Sequence, residues 1–597
     1  MSIVLSKLVR QLSVTLSFWL LASAVTAQTS NADARAANDH RLESADLHND
    51  VDSYMRRAWA HGFSGTVLVA KGQKIILRGA YGEVDRSKAL PLTPDTAFDV
   101  ASLDKQFIAA AVLRLEEMGK LKTSDSIARF FDFVPPPKAD ITIHQLLSHT
   151  SGLPNEYWDE HSEFQERTDF VRFVLRDEPL SSKPGTKWNY SNSAYIVLEE
   201  IIARASGTSY EEFLQHALFR PAGMSHTGIQ LVRWKSGHVA QYRYWTAGPL
   251  TREGVDLSDP IRRPSSSRDL LSSVDDLYLW YLALRDGKIL GPDSLKKLFA
   301  PVMNDYAYGW NITRTSRGTK LISHGGSDSA QGMLATFRYF ADEDVFFVVL
   351  SNSVQPGLVG DYFAADLEQI VFGGSPNVPP PYFTDMRAQD AAVAGDYLLS
   401  GGGTIHVDAI PGNRLVMSTR DSRASLLIRF PDAAASADSL TRDKQVENVI
   451  QGIDKGDFGP LRASLSSELA FERLKPRIQG LWTQLTKANG PLKSISTIYQ
   501  RAFVFEDDPE IQSFIHVQFE HGDEVIRAIH LDDGTLALNL VEVPASSETV
   551  IGPSIRGFTT WDMTLGSSTV VDFDKDTDGK ERINIRGTHS VVQGIRQ

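Results

Sequence analysis

The run Phe98-Asp99-Val100-Ala101-Ser102-Leu103-Asp104-Lys105-Gln106-Phe107 constrains the chain most, because it sets a serine three residues ahead of a lysine where a helix begins. Beyond it, Phe107, Ile108, Ala111, Leu115 and Met118 recur near one helical face, and Gly119 supplies a stop. In a first helical turn residues i and i+3 lie side by side, so the Lys105 amine is expected to hydrogen-bond the Ser102 hydroxyl. A serine attacks carbonyls only when a neighbouring base takes its proton, and a partly buried lysine with a depressed pKa would be such a base. The helix N-terminus adds a positive field and N–H donors where an oxyanion would form. The spacing alone is not specific. Ser294 and Lys297 repeat it in a stretch, Gly291-Pro292-Asp293-Ser294-Leu295-Lys296-Lys297, that reads as a capped surface helix.

Two further signatures, in order, separate Ser102 from Ser294. Tyr190-Ser191-Asn192 is the only Tyr-x-Asn of the chain. A phenol beside an ammonium shares or relays its proton, and an amide with both donor and acceptor holds a lysine and a substrate carbonyl in register. The same stretch also reads as a turn ahead of a helix over Ala194–Ala205 with Gly207 after it, and a turn is a natural place to present such groups. The third signature is Leu321-Ile322-Ser323-His324-Gly325-Gly326-Ser327, followed by the strand-like runs Met333–Phe337 and Val345–Leu350. This predicts an antiparallel sheet with His324–Ser327 at an edge, where glycines let a substrate backbone approach and pair as an added strand.

Ser102-x-x-Lys105, Tyr190-x-Asn192 and His324-Gly325-Gly326 together resemble the three-motif active site of the class C β-lactamase and penicillin-recognising serine hydrolases. The stretches Ile141–Pro154 and Tyr308-Gly309-Trp310 are similar as well, and the likeness spans about residues 48–375. The resemblance implies that Ser102 becomes an acyl-enzyme ester while Lys105 and Tyr190 take its proton and return it to the leaving group. It implies that Asn192 positions the substrate and helps hold Lys105, with His324, Gly325 and Gly326 lining the substrate edge. The N–H groups of Ser102 and Ser327 would form the oxyanion hole, worth typically about 3 kcal/mol per donor. Relatives with lysine in the third motif face the substrate carboxylate with a fixed cation. Here a histidine, mostly neutral near pH 7, stands in that place, which tilts the expectation from β-lactams toward esters, D-amino-acid amides and peptides. The alternative is a penicillin-recognising or peptidoglycan-fragment binding or sensing protein with little turnover.

Nearly 600 residues is too long for one core. The net charge of −13 argues against a nucleic-acid partner and against docking on an anionic membrane. With no cysteine there is no disulfide, no thiol nucleophile and no cysteine-ligated zinc. No cofactor or metal is implied, and a small molecule or peptide is the expected partner. Met1–Ala27 carries Lys7 and Arg10, an apolar run Leu12–Val25, and small residues before Gln28, the pattern of a signal peptide cut after Ala27. The apolar run is shorter than the ~20 residues of a membrane span. A periplasmic or secreted protein is therefore expected, with residues 28–47 a loose polar leader.

The catalytic region, 48–375, reads as α/β (α+β): an antiparallel sheet from Gly65–Ala70, Ile75–Gly82 and the strands after residue 320, flanked by a helical subdomain that includes Asp275–Leu284. A proline-rich linker, 376–387, follows. Residues 388–437 carry the strand-like runs Ala394–Leu398, Thr404–Val407, Arg414–Met417 and Ser425–Ile428, and resemble the first half of a small lipocalin-like barrel. Residues 549–597 resemble its second half. Between them, 438–548 place helices over Val446–Ile453 and Leu465–Leu474 before four strand-like runs, with Asp533-Gly534 as a tight turn. With Gly456-Asp457-Phe458, Trp482 and Gly490-Pro491 this looks like a nuclear-transport-factor-like cone, of structural or ligand-sensing use, inserted into a β-barrel. Asp574-Lys575-Asp576-Thr577-Asp578-Gly579 imitates a calcium loop, but Ile585 stands where the bidentate glutamate belongs, so a charged hairpin turn is expected.

Overall fold

The computed structural model describes residues 45–85, 90–155, 166–229, 240, 270–328, 333–353, 360–382, 390–410, 414–434, 443–465, 468–505, 508–530, 536–541, 547–554, 557–559, 569–587 and 590–597. The expected signal peptide, nearly all of the leader, and the Asp533-Gly534 turn lie outside them. Helix α1 (Ala45–Ala60) leads into β1 (Gly65–Lys71) and β2 (Lys74–Tyr81). A largely helical region follows, carrying α2 (Asp104–Glu117), α3 (Asn192–Ser206) and α4 (Val274–Arg285). The chain then returns through β3 (Asn311–Arg314), β4 (Lys320–Asp328), β5 (Met333–Phe340) and β6 (Val345–Ser351) to α5 (Gly360–Phe372).

These strands form one antiparallel sheet in the order β2-β1-β6-β5-β4-β3. Strands β1 and β6 read as unbroken apolar runs because both of their faces are covered. Leu68, Ala70, Phe346, Val348 and Leu350 pack into the core of the helical region. Val67, Val69, Val345, Phe347 and Val349 pack against α1 and α5 through Met55, Ala58, Phe363 and Leu367. Strand β3 pairs only with Lys320–Ser323 of β4, so among the described residues no strand covers the His324–Ser327 edge.

Past residue 390 come β7 (Gly395–Leu399), β8 (Thr404–Ile410), β9 (Arg414–Thr419) and α6 (Ser422–Arg429). Next are α7 (Lys444–Asp454), α8 (Gly459–Ala463) and α9 (Glu468–Asn489) with β10 (Leu492–Phe505), β11 (Asp508–Phe519), β12 (Asp523–His530) and β13 (Leu536–Val541). The end comprises β14 (Ser547–Ser554), β15 (Gly557–Thr559), β16 (Val570–Lys575), β17 (Glu581–Arg586) and β18 (Val591–Arg596). Strands β7-β8-β9-β14-β15-β16-β17-β18 make a closed barrel, with Met417 opposite Thr549 at one joint and Leu398 opposite Ile595 at the other. The segments on either side of the insertion thus share one sheet. The insertion packs α7–α9 on the four-stranded sheet β10-β11-β12-β13 through Val449, Ile450, Phe471 and Trp482 against Ile515, Val517 and Ile526.

One strand expectation fails. Ser425–Ile428 is helical, within α6, because Asp421 caps it by accepting the Ala424 N–H at 2.8 Å. A four-residue apolar run fits a strand or a helix equally; here two cores decide. Ala424, Leu427 and Ile428 fill the barrel, while Leu426 and Phe430 pack on Phe514 and Val525 of the inserted sheet. The Asp574–Gly579 stretch is the β16–β17 hairpin turn, with Asp576 Oδ1 accepting the N–H groups of Asp578 and Lys580.

The barrel docks on the N-terminal α/β region through Arg414, which is 2 % exposed. It pairs with Glu83 at 3.3 Å, donates to the Trp59 carbonyl at 2.9 Å and lies 4.4 Å from the Trp59 ring. Removing one member of a buried pair leaves its desolvated partner behind. Arg414→Ala is therefore expected to destabilise the protein by about 3 kcal/mol, seen as a lowered urea midpoint.

Candidate active site

The serine sits on a turn held from several sides. Phe98 and Asp99 pair with Ser272 and Leu271, and the Val100 N–H donates to the Leu270 carbonyl at 3.0 Å. Ala101 has φ +45°, a strained left-handed conformation for a residue with a side chain. Asp99 Oδ1 pins it by accepting the Ala101 N–H at 2.7 Å. A single 3₁₀ turn, Ala101–Leu103, then runs into α2 and carries Ser102 at the helix entry.

Two glycines let other segments press on this turn. A Cβ on Gly326 of β4 would collide with the Val100 carbonyl and lie 3.1 Å from the Ser102 nitrogen. A Cβ on Gly309 would come within 2.5 Å of the Lys105 carbonyl. The Tyr308-Gly309-Trp310 stretch is thereby explained: Gly309 allows close approach, and Trp310 anchors it in the core on Phe337. The expectation that both glycines of the third motif admit substrate needs correction. Gly326 is used by the protein's own turn, and only Gly325, exposed and with nothing nearer its Cβ position than 3.8 Å, is open.

Lys105 is wholly buried, rather than partly so, and its Nζ donates to Ser102 Oγ at 3.2 Å. Asp104 Oδ1 lies 3.7 Å from that Nζ, and the rings of Tyr190 and Tyr195 centre 5.3 and 5.5 Å away. Burial opposes the ammonium, but the negative potential of Tyr190 and Asp104, with Glu199 behind them, outweighs it and the pKa moves upward. The depressed lysine expected from sequence is thus corrected: spacing shows a neighbour three residues on, not the acids that burial gathers around it. Burial in turn lifts Asp104 to about 7, against the pull of Lys105.

Tyr190 lies on an extended turn before α3, half-buried, its ring 4.3 Å from that of His149. Asn192 opens α3 and is 2 % exposed. Its N–H and Nδ2 donate to Asn155 Oδ1 at 2.9 and 3.0 Å, while its own Oδ1 is buried with no hydrogen-bond partner among the described residues. Asn192 therefore does not hold Lys105 by a hydrogen bond here. Its acceptor is left for a donor that the described residues do not supply.

His324 is buried on β4. A carbonyl can only accept, so Nδ1–H donates to Gly325 O at 2.6 Å and Nε2 accepts from the Tyr306 hydroxyl at 3.1 Å. Burial and the Lys105 charge bring its pKa down to about 4, so the ring is neutral. Ser327 is exposed on the same strand. Lys297, the decoy, is taken by Glu116 at 2.7 Å. Residues that sequence reasoning missed are Asp104, His149, Asn155 and Tyr306. Asp104 and His149 lay within stretches already singled out; no motif marked Tyr306 or the contact of Asn155 with Asn192.

Residues 51–369 match the Beta-lactamase family. The chain belongs to that family. It is 30 % identical over 375 residues to penicillin-binding protein 4* of Bacillus subtilis, covering 58 % of this chain and 82 % of that protein. It is 29 % identical over 343 residues to the putative penicillin-binding protein PbpX of the same organism, covering 55 % and 82 %. A solved penicillin-binding protein from Bacillus halodurans is 25 % identical with a TM-score of 0.44, covering 52 % of this chain and 95 % of that one.

Within this β-lactamase-family site, Gly326→Ala is expected to displace the Ser102 turn and lower Ser102 labelling by a fluorophosphonate by about 10²-fold, whereas Gly325→Ala keeps labelling. A second expectation concerns acid. The unfolded chain protonates His324 as pH falls through about 6.5, while the folded protein resists until about 4. Stability from this group is complete above 6.5 and is lost as pH drops toward 4, by about 3 kcal/mol. Urea titrations at pH 7 and 4.5 should show a smaller loss for His324→Gln than for the parent.

Proposed function

We propose that the protein is a serine hydrolase working through an acyl-enzyme on Ser102. The observation that carries this is the buried Lys105 Nζ, 3.2 Å from Ser102 Oγ, with the Tyr190 ring beside it. Ser102 Oγ attacks the substrate carbonyl and its proton leaves to the Lys105–Tyr190 pair, which takes it as a unit when the pair holds one proton fewer than ammonium plus phenol. Lys105 fixes the hydroxyl and holds a cation where negative charge collects. The oxyanion is received by the N–H groups of Ser102 and Ser327, the pair returns the proton to the departing alcohol or amine, and water then frees the acid. The unpartnered Asn192 Oδ1 is placed to accept from a substrate amide N–H.

The substrate class follows from His324. A neutral ring tied to Tyr306 offers no fixed charge to a free carboxylate, which favours esters and D-amino-acid amides over β-lactams and D-Ala-D-Ala peptides. We read the barrel as lipocalin-like, the inserted module as nuclear-transport-factor-like, and both as accessory. Export through the N-terminal signal is part of the same proposal. Among the described residues no helix is long and apolar enough to cross a membrane.

The test compares wild type with Ser102→Ala on p-nitrophenyl acetate and butyrate, D-alanine p-nitroanilide, a D-Ala-D-Ala peptide and nitrocefin. Turnover of an ester or amide that vanishes in Ser102→Ala, but persists in Ser294→Ala, is expected. Lys105→Ala should slow acylation by about 10²–10⁴-fold, and His324→Lys should raise action on the carboxylate-bearing substrates. No turnover of any substrate by the folded wild type, with a stable adduct instead, would replace the hydrolase reading by a binding or sensing one.

A further inference from the structure

His149 is completely buried and has φ +57°, a conformation that few residues with a side chain adopt. Its backbone carbonyl accepts the Asn189 N–H at 2.8 Å. Its ring Nδ1 accepts the Ser191 N–H at 3.1 Å. The residues immediately before and after Tyr190 are thus held by one residue, whose ring also packs against that of Tyr190 at 4.3 Å, tilted by 37°. We propose that His149 is a positioning residue for Tyr190, clamping the turn that presents the phenol through one backbone and one side-chain acceptor. The proposal rests on the role given to Tyr190 above.

The ring is poorly served as a packing element, which is what points to the acceptor. With Nδ1 accepting, the neutral ring carries its proton on Nε2, and Nε2 is buried without a hydrogen-bond partner among the described residues. The neighbours of the ring are the aromatic groups of Tyr195 at 4.9 Å, Tyr306 at 4.7 Å and Trp188 at 6.1 Å. An apolar ring would fill that wall without burying an orphan donor. The histidine is explained by what its other nitrogen does. Burial, Lys105 and His324 hold its pKa well below the ordinary value, so Nδ1 stays an acceptor, and the groups facing it (Lys105, His324, Tyr190, Tyr195, Tyr306) include no carboxylate to favour the charged ring. The surrounding loop is stitched to the same turn: Thr150 O accepts from the Gly185 N–H, Gly152 O from the Ser181 N–H, and Asn155 takes the Asn192 amide. His149 is the member of that loop that brackets Tyr190 itself.

Three variants separate acceptor from ring and backbone. Asparagine tolerates positive φ and sets an oxygen near the place of Nδ1; glycine tolerates the backbone without an acceptor; alanine lacks both. Single-turnover acylation of the best panel substrate should stay within roughly 3-fold of wild type in His149→Asn. It should fall by about 10²-fold in His149→Gly and His149→Ala with KM little changed. Wild-type-like acylation in the glycine variant, or an asparagine variant no better than glycine, would overturn the proposal. Turnover surviving in Ser102→Ala would instead overturn the hydrolase reading, so the two failures are distinct. A measurement on wild type, assigned with whichever His149 variant folds, does not depend on turnover. Long-range ¹H–¹⁵N spectra should show one histidine, absent from that variant's spectrum, protonated on Nε2 and unchanged from pH 8 to 5; protonation on Nδ1, or titration near pH 6.5, would sink it.

Discussion

The burial of the Lys105 ammonium is the constraint around which the β-lactamase-family half is arranged. A charge taken wholly out of water is tolerated only where opposite charge and hydrogen bonds replace its hydration. Here the Ser102 hydroxyl, the Asp104 carboxyl 3.7 Å away and two tyrosine faces do so. Behind Asp104, desolvation pushes the buried Glu199 carboxyl well above its ordinary pKa, against the pull of Arg167 at 2.9 Å. The groups needed to keep this lysine charged in a dry interior are the same ones that aim it at the serine.

That arrangement draws on three distant parts of the chain, and close backbone approach is what joins them. The Ser102 turn comes from residues near 100, the tyrosine turn from residues near 190, and the strand edge from residues near 325. Gly309 and Gly326 let two of those segments touch the backbone of the α2 entry, where any side chain would separate them. The strain stored at Ala101 is held by Asp99 and by this contact, so the serine is presented by packing from outside its own helix. The protein's third-motif histidine then closes the site as a neutral, hydrogen-bonded wall, where a lysine would have offered a charge.

Most elements were legible from local pattern. The period-3.6 spacing after Ser102, the two-sided apolar run Val345–Leu350 and the late strands around residues 570–595 all correspond to observed elements. The exception is instructive: Ser425–Ile428 carries no period of its own, and a capping aspartate plus two adjacent cores turned it into α6. The joining of the early barrel strands to those more than a hundred residues later was inferred from their shared character, and the β9–β14 and β7–β18 pairings realise it.

The sequence by itself determined which chemical groups the site contains and their order, because spacing along a helix or a turn is a local property. It also determined the β-rich, interrupted plan of the C-terminal half. Only the tertiary structure decided how those groups behave. Whether Lys105 is charged, whether His324 is neutral, which of two glycines faces solvent and which asparagine oxygen is left without a donor all depend on burial and on partners far away in sequence. Desolvation and Coulomb interactions act through space, so a chain read residue by residue names the participants, and the fold assigns their protonation states and contacts.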